Sequence, residues 1–128
     1  MKGFVDNIEK LTLKNNNFRK VLFTGKFCQL VVMSLKPGEE IGMEVHPDVD
    51  QFFRIDSGMG KVIMGREEKR LKDGSAIVVP AGTKHNIVNT SKTDDLKLYT
   101  VYSPPNHPKG TVHKTYEEAE EYEKKHHS

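Results

Sequence analysis

The chain has a single cysteine, no tryptophan, no apolar stretch long enough to span a bilayer and no excess of one charge. Each absence narrows the field. With Cys28 alone, no intramolecular disulfide can form, which suits a reducing compartment. No run approaches the roughly 18 apolar residues of a transmembrane helix. The N-terminal stretch MKGFVDNIEK meets acidic residues before a signal-peptide core can develop. Basic and acidic residues number 20 and 18, for a net +2. The basic ones are spread along the chain, without the stripe that nucleic acid demands. These features predict a cytoplasmic protein with neither a membrane nor a nucleic-acid partner. At 128 residues and 35% hydrophobic composition, one domain can bury a core without cross-links.

What is present is β-structure. Short runs rich in β-branched and aromatic residues occupy 19–24, 27–35, 41–45, 51–55, 61–64, 76–80, 85–89 and 96–102. Turn signals such as Lys36-Pro37-Gly38, Asp56-Ser57-Gly58 and Lys72-Asp73-Gly74 separate them. Regular short strands with this punctuation indicate an all-β sandwich or barrel. The barrel is expected over 19–104, after an N-terminal arm or short strand over 1–18. Alternation puts Cys28, Leu30 and Val32 on one side of their strand and Phe27, Val31 and Met33 on the other. Both sides are apolar, and the same holds for Leu96, Leu98 and Tyr102 against Tyr99 and Val101. Such strands are expected to be covered twice, by the core and by another layer or subunit, so a homodimer is expected. Cys28 reads as buried and inert. Phe53, Ile55, Met33, Met64, Leu98 and Val101 read mostly as core, with a pocket lining as the alternative.

The tail over 105–128 changes character. Three prolines and a glycine within Ser103–Gly110 exclude regular structure. Thr115 and Glu118 then form a capping-box pattern, and acidic residues lead to Lys124, Lys125, His126 and His127, as the helix dipole favours. The pattern predicts one short helix over about 116–124, striped by Tyr116, Ala119 and Tyr122. His126 and His127 are expected in solvent. His107 and His113 are expected as solvated loop histidines, with a loop folded over a barrel mouth as the alternative. Arg54 and Lys84 read as surface charges.

Two spaced constellations carry chemistry. The first runs Gly38, five residues, Glu44, one, His46, four, Gln51, six, Gly58; the second runs Gly74, five, Pro80, one, Gly82, two, His85, three, Asn89. Residues two apart on a strand point the same way, so Glu44 and His46 can both face a barrel interior. Gln51 would join them, and His85 would come from a neighbouring strand. Asp50 is an alternative to Gln51. Carboxylate, amide oxygen and two imidazoles make a mixed N/O site suited to Fe(II), Mn(II), Zn(II) or Ni(II). Glu44 serves either as a ligand or as a general base.

These two stretches resemble the paired motifs of the cupin superfamily, in its small single-domain form. The second constellation matches the family pattern at all five of its fixed positions. The first departs at two: Glu44 stands where the family usually has histidine, and Gln51 where it usually has glutamate. The resemblance implies a double-stranded β-helix, or jelly-roll barrel, with Glu44, His46, Gln51 and His85 around one divalent metal. The chain also resembles stand-alone cupins grouped with sugar-phosphate isomerases, and its ligand spacing is similar to that of cupins that open uronate sugar rings. The implied function is isomerase-type chemistry on a small sugar- or keto-acid-like molecule. A metal-dependent dioxygenase and a non-catalytic barrel that binds a small ligand are the alternatives. No cluster of basic residues for a phosphate is visible near the motifs.

Overall fold

The structure, a computed structural model, describes residues 3–126. Helix α1 (Ile8–Lys14) precedes eight strands: β1 (Arg19–Thr24), β2 (Gln29–Leu35), β3 (Asp50–Ser57), β4 (Gly60–Met64), β5 (Glu67–Leu71), β6 (Ala76–Val79), β7 (His85–Asn89) and β8 (Leu96–Ser103). A two-residue strand, β9 (Val112–His113), and helix α2 (Tyr116–His126) follow. One sheet has the order β6-β3-β8-β2-β1-β9 and the other β5-β4-β7, all pairings antiparallel. This is the expected jelly roll with a C-terminal helix. No helix among the described residues is long and apolar enough to cross a membrane.

Alternation decides which residues the barrel encloses. Val31, Met33 and Leu35 of β2, Phe53 and Ile55 of β3, Ile87 of β7, and Leu96 and Leu98 of β8 are 0–1% exposed. Met64 packs partly buried against this core, while Val101 lies half-buried on the opposite face of its strand. Burying each such aliphatic or aromatic side chain contributes about 1.5–3 kcal/mol. Gly58 closes the turn between β3 and β4 with φ +101°, and a Cβ there would lie 2.5 Å from the Asp95 carbonyl oxygen.

Where an arm or short strand was expected ahead of the barrel, a helix is found: α1 occupies 8–14. Asn7 caps it by accepting from the Lys10 N–H at 3.0 Å. Its buried contact is Thr12, 0% exposed, a polar residue that hides the apolar periodicity by which a helix is read. The helix lies on the outer face of the large sheet, against β2, β3 and β8. There the Lys97 ammonium donates to the Asn15 carbonyl, and Asp56 pairs with Arg54. Burial lowers the Lys97 pKa against the pull of Asp95, and burial raises that of Asp56 against Arg54. The second cover over Val32, 1% exposed, is therefore at least in part this chain's own helix. Arg54 is a partner of Asp56 rather than a free surface charge, whereas Lys84 is exposed.

Four further expectations are corrected. The 41–45 run is not a strand; its pairing with β7 is limited to isolated bridges, at Glu40 and Glu44. Gly42, at φ +106°, breaks the extended run, and its N–H turns to the Asn86 side-chain oxygen at 2.9 Å. β5 was masked by charge, since Glu67 to Arg70 are all exposed and only pairing with β4 orders them. Cys28 is exposed, because β2 begins at Gln29 and Cys28 sits in the preceding turn, its carbonyl accepting from Gly25. His113 is 7% exposed on β9, paired with Arg19 of β1 and 5.2 Å ring to ring from Tyr122. His126 is exposed and stacks on Tyr122; His127 lies outside the described residues.

Gly58→Ala is expected to cost about 2–5 kcal/mol, the sum of left-handed strain and a backbone clash, read as a lower urea midpoint. A second outcome concerns acid. Burial, then the Arg19 guanidinium, holds the His113 pKa below its ordinary 6.5, with Glu118 opposing. The unfolded chain thus takes up this proton first. Stability from His113 is intact above 6.5 and is lost as pH falls from there through the folded value. His113→Gln is expected to flatten the decline in urea midpoint between about pH 7 and 5.

Candidate metal centre

The two sequence constellations meet through the backbone. Glu44 N–H donates to the His85 carbonyl at 2.8 Å, and His85 N–H returns to the Glu44 carbonyl at 2.9 Å. Gly82 N–H donates to the His46 carbonyl at 2.9 Å, tying the turn of the second constellation to the first. Ligand atoms of Glu44, His46 and His85 consequently lie within 4.8 Å of one another. His46 Nε2 is 3.4 Å from Glu44 Oε1, and the two imidazoles are 5.6 Å apart.

Gln51 belongs to the same interior. It is 2% exposed at the start of β3, opposite Tyr102 of β8, whose ring lies 6.0 Å from that of His46. Its amide nitrogen donates to Thr100 Oγ1 at 2.9 Å, which leaves its oxygen free. Asp50 is instead exposed and accepts from the Ala81 N–H at 2.8 Å, anchoring the turn before β7.

The unpartnered atoms are the telling ones. His46 Nε2, His85 Nε2 and Gln51 Oε1 are all buried without a hydrogen-bond partner. Leaving a buried polar atom unpaired costs about 1–3 kcal/mol, so three in one barrel call for an explanation. His85 Nδ1 lies 2.9 Å from the Thr83 carbonyl, which can only accept. The proton therefore sits on Nδ1 and Nε2 presents its lone pair, the arrangement found in histidines that ligate a metal. Two imidazole nitrogens, an amide oxygen and a carboxylate fit a divalent transition metal.

A pocket of about 370 Å³ opens at this place, bordered by Glu44, His46, His107 and Arg19, with α2 forming another wall. Glu44, with 23% of its side chain exposed, stands at the boundary between cluster and pocket. His107 is not a solvated loop histidine: its Nε2 is 3.1 Å from the Tyr102 hydroxyl, with the rings 5.1 Å apart. Gln29, fully buried, holds that loop over the barrel mouth. It donates to the His107 carbonyl at 2.7 Å and accepts from the N–H groups of Asn106 and His107. Burial pushes the Tyr102 phenol up to about 12, with Arg19 opposing and Glu44 adding to the rise.

Arg19, Gln29 and Tyr102 were not anticipated as site residues. A signal existed for Gln29, a polar residue at the first inward position of a strand whose later inward positions, Val31, Met33 and Leu35, are apolar. A polar side chain at such a position marks the end of the barrel that is not filled with hydrocarbon.

Comparison with known proteins places this geometry. The cupin-domain family matches residues 31–102. YrkC, an uncharacterized protein of Bacillus subtilis, is 56% identical over 120 residues, covering 89% of this chain; the chain spans 64% of that protein's length. The crystal structure of BH2720 from Bacillus halodurans superposes with a TM-score of 0.91 at 45% identity, covering 94% of this chain and 95% of that one. KdgF from Halomonas sp. superposes at 0.64 with 25% identity, over 69% of this chain and 78% of its own. With the family match spanning more than half of the sequence and a jelly roll joining its two motifs, the chain belongs to the cupin family.

Proposed function

We propose that this protein is a metal-dependent cupin that moves a proton within a small oxygenated molecule, sugar- or keto-acid-like, as an isomerase does. The observation that carries it is the set of unpartnered buried atoms on His46, His85 and Gln51 beside the Glu44 carboxylate. His46, His85 and Gln51 would hold one divalent ion (Mn, Fe, Zn or Ni). Such an ion, when bound, polarises a carbonyl or hydroxyl oxygen. Glu44 borders both the cluster and the pocket, where a carboxylate can take a proton from one substrate carbon and return it to another. Tyr102, a neutral phenol whose pKa burial pushes up to about 12, offers a hydroxyl beside His107. The 104–111 loop, pinned by Gln29, limits access of water from above.

A homodimer is part of the proposal, supported by the outer face of the large sheet. Val78, Phe52, Val101, Leu30 and Phe23 oppose one another in register across five strands. Val78 is 63% exposed. A two-fold axis would set this stripe against itself, as isologous interfaces require. The unpaired thiol of Cys28 supports a reducing, cytoplasmic setting.

Elemental analysis of protein purified without chelator is expected to return near-stoichiometric divalent metal, with His46→Ala and His85→Ala depleted. Restoring metal to stripped protein at a hundredfold excess over Kd is expected to add about 2.7 kcal/mol to the unfolding free energy. Wild type without metal and without this stabilisation refutes the reading. Glu44→Gln is expected to keep its metal and lose at least about 100-fold in turnover of a screened substrate. Oxygen consumption during turnover identifies an oxygenase instead, and ligand stabilisation without turnover identifies a binding barrel. Sedimentation is expected to show a dimer that Val78→Glu with Phe52→Glu converts to monomer; a monomeric wild type removes the dimer.

A further inference from the structure

We propose that Arg19 anchors a carboxylate group of the substrate, so that the pocket takes a small hydroxy, oxo or sugar acid rather than a neutral sugar. This rests on the metal-dependent reading of the site and adds the charge of the molecule it serves.

Arg19 is the first inward residue of β1 and is 2% exposed. It borders the same pocket as Glu44, His46 and His107. An arginine stays protonated wherever it sits, so this is a buried positive charge. Its polar partners are both neutral. Arginine has only donors, so the contact of 3.3 Å between its Nη1 and His113 Nδ1 makes that histidine nitrogen the acceptor, and hence uncharged. The other partner is the Tyr102 hydroxyl, a phenol far from ionising at neutral pH. Among the described residues no carboxylate forms an ion pair with Arg19. Its Nε–H is buried with no partner at all. A charge enclosed in this way is strongly unfavourable unless an anion joins it.

The guanidinium and its surroundings also select the anion. Nη1 is occupied by His113, and Nε lies unpartnered on the planar edge of the guanidinium. That planar edge matches a carboxylate. Glu120 and Glu123 of α2 border the pocket, and no lysine does. One arginine in a pocket bordered by three glutamates, Glu44 included, suits a single negative charge better than a dianionic phosphate. Position connects the anchor to the chemistry, because the Tyr102 phenol feels both Arg19 and Glu44 and its ring lies 6.0 Å from that of His46. A carboxylate on Arg19 therefore has the proton-moving end of the site as its neighbour.

The test titrates oxalate, pyruvate, glycolate and galacturonate against their methyl esters or amides by calorimetry, with metal-loaded and with chelator-stripped protein. Metal content and circular dichroism are recorded for every sample. In wild type at least one carboxylate is expected to bind tenfold or more tightly than its neutral partner, in the stripped protein as well as the loaded one. Arg19→Gln is expected to abolish that ratio in stripped protein while leaving metal content unchanged, and Arg19→Lys to retain part of it. A carboxylate preference present only in loaded protein, or one that survives Arg19→Gln, overturns the assignment, as does no binding by any of the four acids. If Arg19→Gln does not fold, the stripped wild type and Arg19→Lys decide. Absence of metal in wild type defeats the metal reading by itself, and the stripped-protein titration still reports on Arg19.

Discussion

The reciprocal backbone hydrogen bonds between Glu44 and His85 join two stretches of chain some forty residues apart, and the chemistry of the molecule depends on them. They continue a line of bonds to β7 in which Ile41 N–H donates to the Ile87 carbonyl at 2.9 Å and Asn89 N–H to the Glu39 carbonyl at 2.8 Å, so the 39–46 segment is held although Gly42 interrupts its extension. With them, a carboxylate and two imidazoles converge at one end of the barrel. The Gly82 to His46 bond and the Asp50 cap on Ala81 fix the surrounding turns. A site built this way is rigid because it borrows its geometry from the ladder, not from its own side chains.

The barrel interior has two halves of opposite character. Toward one end, Leu35, Ile55, Ile87, Leu96 and Leu98 fill the space and supply the hydrophobic drive for folding. Toward the other, the inward positions are Gln29, Gln51, His85 and Tyr102, and the Arg19 side chain, whose backbone pairs with Met33, meets this group at Tyr102. Those groups have been taken out of water, and several lack a protein partner. The hydrocarbon half offsets that cost. Such an arrangement is a poor way to gain stability and a direct way to hold polar ligand atoms in low dielectric, where electrostatic interactions are strong.

The elements at the two termini do different work. Helix α1 covers the outer face of the large sheet and receives the buried Lys97 and Asp56, so it completes the fold. The loop after β8, β9 and α2 face the barrel mouth, where they supply His107, His113 and a pocket wall. The site is thus composed of the barrel's own ligand cluster and a cover contributed by the chain after it.

Sequence alone determined the strands with alternating apolar residues, the jelly roll, the C-terminal helix and the candidacy of Glu44, His46, Gln51 and His85. Those features are local: period-two hydrophobicity, turn residues and fixed spacing are written in neighbouring positions. Tertiary structure decided the rest. Helix α1 buries a threonine rather than a leucine, β5 is four charged residues and one buried leucine that pairing with β4 makes a strand, and Cys28 is exposed by the turn that precedes its strand. Arg19, Gln29, His107 and His113 looked like ordinary polar residues, since their burial comes from partners far away in sequence. A spacing pattern registers which ligand types recur, but the presence of an unpaired buried cation beside them emerges only when the barrel closes.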